Sequence, residues 1–227
     1  MSRTLLTSSL LLLATACGSK DPTGGGPPPP PPPPPPANLI TIDGNNVGAS
    51  GGLVFISQGG ASVSDASVTV TANGVVATPI SSGYAWELPT PLAPGATLTV
   101  VATRLGKTAT ATGILPAIPV FVAPEPNDPI TIGTPFTVTW TAAANAHYYL
   151  VHLGYRVGSN GNSVGDSVAG NIRTVDVATA AIPAGASNPD IDIRAIGTET
   201  LSGDVAPASK LRLFAQTEVR NLTFTGP

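Results

Sequence analysis

From residue 38 onward the chain repeats one pattern. A β-branched or aromatic residue alternates with threonine or another polar residue, and turn-forming residues break the run about every 8–12 positions. Val68-Thr69-Val70-Thr71 and Phe136-Thr137-Val138-Thr139-Trp140 are the clearest stretches. A side-chain period of two places alternate residues on one face of an extended strand. No window holds a sustained period near 3.6, and Ala142-Ala143-Ala144 runs straight into Asn145 and reads as a loop. Such a chain buries its apolar residues by pairing strands and packing sheets face to face, so the expected fold is all-β, of sandwich type.

The run divides into two modules. In the first, residues 38–122, Leu53-Val54-Phe55-Ile56 reads as a buried strand and Asn73-Gly74 as a tight hairpin turn, since both residues tolerate positive φ. Tyr84, Trp86 and Leu88 share one face, Pro94-Gly95 turns the chain, and Leu98, Val100 and Ala102 point inward from the next strand. Residues 123–129 hold three prolines in seven positions and read as a stiff interdomain linker, with Glu125 and Asp128 solvated. In the second module, residues 130–227, Val138 and Trp140 face a core. Tyr148 to Leu153 forms a strand, Ile191, Ile193 and Ala195 alternate with Asp190, Asp192 and Arg194, and the last strands fall between Lys210 and Thr225.

Residues 59–107, through Asp65-Ala66-Ser67-Val68-Thr69-Val70, Gly83-Tyr84 and Leu92-Ala93-Pro94-Gly95, resemble carboxypeptidase-regulatory-like and bacterial immunoglobulin-like modules. The second half resembles the fibronectin type III fold through Val138-Thr139-Trp140, Tyr149-Leu150-Val151 and Ile191-Asp192-Ile193-Arg194-Ala195-Ile196. The resemblance implies two tandem immunoglobulin-like β-sandwiches. It also implies a tyrosine corner, yet the corner position counted back from Ala195 holds Pro189. The Gly/Asn/Ser-rich segment Gly154 to Gly170 is a second departure.

Ahead of the modules, Arg3 precedes Leu5-Leu6 and Leu10 to Leu13, followed by Ala14, Thr15 and Ala16. A charge, a short apolar run and small residues form a secretory leader, far short of the roughly 20 apolar residues a spanning helix requires. The small residues run into Cys17, the single cysteine of the chain. Ala14-Thr15-Ala16-Cys17-Gly18 resembles the bacterial lipoprotein signal, which implies cleavage after residue 16 and a lipidated (palmitate-bearing) Cys17. A plain secretory leader with an incidental cysteine is the alternative. Lipidation removes the free thiol that an exported chain would otherwise carry. Gly18 after the cysteine, by the same resemblance, implies an outer-membrane location at the cell envelope.

Residues 17–37 form a Gly/Pro-rich linker ending in ten prolines, Pro27 to Pro36. In the polyproline II conformation these rise about 3.1 Å each, a semi-rigid spacer of roughly 30 Å. A ligand for a proline-recognition domain is the alternative.

Ten Lys+Arg against thirteen Asp+Glu, with charged residues at 10% of the chain, exclude a clustered basic surface and hence nucleic acid as partner. No Ser/His/Asp grouping, phosphate loop or zinc spacing is present, and Gly158-Ser159-Asn160-Gly161 lacks a strand-to-helix setting. The two histidines, His147 and His152, are five apart and face opposite sides of one strand, so no metal site is expected. Asp190 and Asp192 share a face about 7 Å apart, a spacing open to glycoside hydrolysis, but Arg194 beside them reads as a wet sheet face. Trp86 with Tyr84, or Tyr148 with Tyr155, could form a sugar-stacking platform if exposed.

The expectation is a non-enzymatic lipoprotein without cofactor. Its partners would be the membrane, through Cys17, and an envelope protein or glycan. A carbohydrate-binding lipoprotein and a hydrolase are the other readings.

Overall fold

The computed structural model describes residues 39–219 and 221–226. Cys17, the leader 1–16 and the linker 17–37 lie outside them. Among the described residues all regular structure is β, and no helix is long and apolar enough to cross a membrane.

The first half of the chain forms β1 (Ile40–Val47), β2 (Gly51–Gln58), β3 (Ala61–Val63), β4 (Thr69–Ala72), β5 (Val75–Val76), β6 (Thr78–Ile80), β7 (Gly83–Glu87), β8 (Thr97–Arg104) and β9 (Lys107–Ile114). The second half forms β10 (Phe121–Ala123), β11 (Pro129–Thr131), β12 (Phe136–Trp140), β13 (Tyr148–Val157), β14 (Asn160–Ala169), β15 (Thr174–Val177), β16 (Ser187–Ile196), β17 (Glu199–Gly203), β18 (Lys210–Val219) and β19 (Thr223–Thr225). Two-residue turns set the hairpin registers. Asn73-Gly74 and Leu105-Gly106 both take positive φ at both positions, the type I′ pattern that matches strand twist.

One nine-stranded sheet, ordered β14-β13-β16-β18-β1-β2-β7-β6 with β3 beside β2, runs through both halves. A five-stranded sheet, β17-β9-β8-β4-β5, packs over its β1–β2–β7 side. The three-stranded sheet β10-β12-β15 and the parallel pair β11-β19 pack over its β13–β16 side. The fold is therefore two β-sandwiches, and each has its own core. The first gathers Ile42, Val54, Tyr84, Trp86, Leu98 and Val100; the second gathers Val138, Trp140, Tyr149, Leu153, Ile191 and Ile193. Burying each large apolar side chain contributes about 1.5–3 kcal/mol.

The cores do not divide at 123–129. The first core ends with Leu115, while Ala117 and Phe121 already pack on the second. Residues 123–129 join β10 to β11, both on the second core, and Glu125 N–H donates to Asp128 Oδ2 at 2.8 Å. The second half also returns to the first core. β17 pairs with β9, and β18 serves both sandwiches: its first residues pair parallel to β1 (Gly44↔Leu211, Val47↔Leu213), and its later ones pair antiparallel to β16 (Ile196↔Phe214 to Ile191↔Val219). Leu211 and Leu213 lie in the first core and Val219 in the second.

Two glycines permit this crossing. A Cβ on Gly113 would overlap Leu213 Cδ1, and one on Gly197 would overlap the Ile114 carbonyl oxygen. Gly197 N–H donates to Leu213 O at 3.0 Å, and Ile114 N–H donates to Thr198 O at 3.1 Å.

One local reading is corrected, and the two departures from the fibronectin pattern take definite form. Leu53–Ile56 is not buried on both faces: Val54 and Ile56 point inward while Phe55 is 44% exposed, because β2 has a covering sheet on one side. The segment from Gly154 to Gly170 ends β13 and forms β14, a ten-residue hairpin strand. Its polar composition fits an exposed edge, with Val164 and Val168 packed on the second core. A tyrosine lock exists, but not at position 189: Ala143 N–H donates to Tyr149 Oη at 2.9 Å, and in the first sandwich Tyr84 Oη donates to Asp65 O at 2.7 Å.

Candidate functional site

The outer face of the second sandwich is written by the alternation of β16. Ile191, Ile193 and Ala195 turn inward, which leaves Asp190, Asp192 and Arg194 outward. Asp192 lies between His152 of β13 and Glu218 of β18 in the register, and Asp190 lies opposite Gly154. Arg194 Nε stands 3.0 Å and His152 Nδ1 3.6 Å from Asp192 Oδ2, and the Asp192 side chain is only 14% exposed. The Arg194 guanidinium also sits 5.7 Å from the Phe214 ring centroid.

Asp190 has different surroundings. It lies across Gly154, where a Cβ would fall within 3.0 Å of both carboxylate oxygens. Two clefts open beside it. One, of about 420 Å³, is lined by Arg156, Asn188, Asp190, Glu218 and Asn221; the other, of about 510 Å³, by Arg156, Asn162, Ser163, Asn188 and Asp190 over Tyr155. Arg156, Asn188 and Asp190 border both, so the two form one polar groove. Asn188 and Asn221 have φ of +50° and +63°, the left-handed region that asparagine adopts more readily than most residues, as it does at Asn73 and Asn145.

The groove lies at the far end of β18. The described chain begins beside the start of that strand: Ile40 N–H donates to Asp204 O at 2.9 Å, Ala206 N–H donates to Ile40 O at 2.8 Å, and Asp43 pairs with Lys210. The eight residue-to-residue steps from Lys210 to Glu218 rise about 27 Å.

The other sequence candidates lie elsewhere. Asp190 and Asp192 share a face but not a cavity, since Asp192 is bound to Arg194 while Asp190 lines the groove. His152 lies on the sheet face and His147 just before β13, at a separate cleft of about 290 Å³ with Tyr148, Glu199 and Arg212. Glu199 accepts the Leu211 N–H there. Among the described residues no group of three or more His, Cys, Asp and Glu is placed to hold a metal. Gly158-Ser159 is the β13–β14 turn.

The aromatic platform is absent at the positions considered for it. Tyr84 and Trp86 are buried in the first core and Tyr155 in the second. Tyr148 lies half-buried with the Arg212 guanidinium 5.9 Å from its ring, and burial raises its hydroxyl pKa above the ordinary value. With so few aromatic residues, the two cores claim most of them, and Phe55, Tyr148 and Phe214 lie outside.

Sequence reasoning singled out Asp190 but missed Arg156, Asn162, Asn188, Glu218 and Asn221. Ser187-Asn188-Pro189 and Asn221 carried a turn signal. Their convergence depends on the order β14-β13-β16-β18, which no local pattern reveals.

Chemically the described lining of the groove offers carboxylates, amides and the Arg156 guanidinium at an open surface, a set that forms hydrogen bonds to a ligand. No family model matches the chain, and no curated protein matches it. Among solved structures the chain is similar to the fibronectin(III)-like modules of CbhA from Clostridium thermocellum, at 13% identity and a TM-score of 0.26, covering 83% of this chain and 95% of that one.

Proposed function

We propose that the chain is a lipid-anchored binding protein of the bacterial cell envelope, without catalytic activity of its own. Cys17 carries the lipid, the proline tract holds the sandwiches off the membrane, and the groove at Arg156, Asn188 and Asp190 receives the partner.

The observation that carries this reading is the placement of the groove at the end of β18 opposite the point where the chain enters β1. That end is remote from Leu39, the first described residue. The lining supports binding: carboxylates, amides and a guanidinium converge on it from β13, β16 and β18 and the turns beside them. Two acyl chains or more on a cysteine give durable anchoring where one gives only marginal binding.

Mass spectrometry of the N-terminal peptide after expression in a bacterium tests the anchor. The expected product starts at Cys17 and carries acyl chains; an unmodified Cys17, or cleavage elsewhere, refutes it. Capture from an envelope extract tests the binding role. Wild-type protein should retain a partner that an Asp190→Ala variant with the same melting temperature loses.

A further inference from the structure

We propose that the cleft where the two sandwiches meet, at Tyr148, Glu199 and Arg212, binds a carboxylate, carried either by a peptide C-terminus or by a small free acid. It is a second site, separate from the groove at Arg156, Asn188 and Asp190, and either can fail without the other.

Its walls come from both sandwiches. Tyr148 opens β13 and Ile196 closes β16, while Glu199 opens β17, which pairs with β9 of the first sandwich. Arg212 lies on the shared β18 between Leu211 and Leu213, and Gly197-Thr198 carries the chain across. The cleft holds about 290 Å³. A neighbouring one of about 560 Å³, lined by Asn145, Asn171 and Arg173, shares His147 and Thr198 with it. Small-molecule sites collect at domain junctions of this kind, and the smaller volume suits a chain terminus or a small acid.

Two donors in the cleft have no acceptor among the described residues. The Tyr148 hydroxyl oxygen is shielded from solvent and has no hydrogen-bond partner. The indole N–H groups of Trp86 and Trp140 are unbonded as well, but they belong to the cores, whereas Tyr148 lines a cleft. A buried donor left unmet is destabilising, and an incoming acceptor removes that penalty. Arg212 is exposed, and it pairs with no carboxylate among the described residues, unlike Lys107, Arg194 and Lys210. Its contact is the Tyr148 ring, whose centroid lies 5.9 Å from the guanidinium carbon. Glu199, in the same lining, accepts the Leu211 N–H instead.

The two donors converge. Burial raises the Tyr148 pKa, Arg212 lowers it and Glu199 raises it, so the hydroxyl feels both charges of the cleft. A guanidinium is a planar fork that matches the two oxygens of a carboxylate, and a phenol O–H adds a bond to one of them. Because Arg212 is exposed, its side chain can leave the ring and bring the ligand against the Tyr148 hydroxyl while the cores stay packed. A carboxylate also brings one negative charge to one unpaired guanidinium. A phosphate brings nearly two, with three acceptor oxygens, more than these donors meet.

Tyr148→Phe removes the hydroxyl alone, and Arg212→Gln removes a charge from an exposed side chain, so both variants keep the fold. The full chain, purified in detergent, is titrated by calorimetry with N-acetyl-dialanine, its C-terminal amide, acetate and inorganic phosphate, and its Tm is followed with each.

Binding is expected from N-acetyl-dialanine, from acetate, or from both, and which of them binds names the source; the amide should not bind. Bound carboxylate should raise Tm, since the cleft exists only in the folded chain. Tyr148→Phe should weaken binding about tenfold, the loss of one hydrogen bond to a charged group, and Arg212→Gln at least as much. Without ligand, Tyr148→Phe should melt no lower than wild type. No carboxylate binding at about 10 mM probe overturns the proposal, as does tighter binding of phosphate, equal binding of the amide, or binding unchanged in both variants. A Tm lowered by Tyr148→Phe alone would show that the hydroxyl already has a partner and would remove the ground for the site.

Discussion

Leu213→Ala removes one side chain from β18, and its effect reaches both cores. Leu213 is fully buried in the first core, and its Cδ1 rests against Gly113. Large-to-small core changes of this kind cost about 2–5 kcal/mol, depending on how far the site can collapse. Gly113 has no side chain with which to fill the gap, so the upper part of that range applies, about 3–5 kcal/mol. For a chain of this size each kcal/mol moves Tm by about 2–4 °C, which predicts a fall of about 6–20 °C.

Each core holds one tryptophan, Trp86 in the first and Trp140 in the second. Neither indole N–H has a protein hydrogen-bond partner, so replacing either ring with phenylalanine orphans no acceptor. Melting Leu213→Ala in Trp86→Phe and Trp140→Phe backgrounds therefore reads the two sandwiches separately by fluorescence. Because β18 pairs with β1 through Leu213 and with β16 through Val219, both tryptophans should report one coincident, lowered transition. A lowered Trp86 transition beside an unmoved Trp140 transition would show that the sandwiches unfold independently and would refute the shared-strand account.

Gly197→Ala places a methyl group on the Ile114 carbonyl, which backbone pairing prevents from retreating; a loss of about 1–3 kcal/mol or more is expected in urea titrations, against near neutrality for Gly161→Ala, where a Cβ meets nothing. Leu105→Asn should stabilise the protein by up to about 1 kcal/mol in the same assay, because Leu105 is 81% exposed at φ +48°, a conformation asparagine tolerates better. Thr179→Val should cost about 1–3 kcal/mol, since the fully buried hydroxyl serves the Thr131 and Thr134 carbonyls at 3.2 and 2.9 Å. Asp204 accepts the Thr108 N–H and pairs with Lys107, and these hold its pKa below the ordinary 3.8. Its contribution is thus complete above that value and is lost as pH falls below it, so Asp204→Asn should flatten the acid side of the stability–pH curve and leave its slope above pH 5 unchanged.

The strands were legible because their causes are local. Leu98, Val100 and Ala102 alternate with polar residues and are fully buried, and Asn73-Gly74 turns where the residues predict. Burial on a half-covered sheet follows a period of two, and the sequence displays that period directly. Phe55 was misread because a run of four apolar residues does not say which of its faces has a covering sheet. The hairpin at Gly154–Gly170 was obscured because β14 is an edge strand, whose exposed side chains need no apolar residues. The groove was illegible for a topological reason: Arg156, Asn188 and Glu218 lie on three strands, and the pairings that join those strands are set by the global fold.

The sharing of β18 bears on the proposed reading of the chain as a tethered binder. Two sandwiches joined by a flexible linker would let the groove swing relative to the tether and dissipate any fixed orientation. Here the strand that starts beside Ile40 is the strand that carries Glu218 near its far end, and its pairings run along both sandwiches. The separation of about 27 Å along that strand is therefore held by the sheet rather than by a linker. The tight passage at Gly197, bonded to Leu213 O and beside the Ile114 carbonyl, secures the same join from the β17 side. Loosening that join should impair orientation-dependent capture at a surface before it impairs binding of a free ligand in solution, because only the former depends on where the groove points.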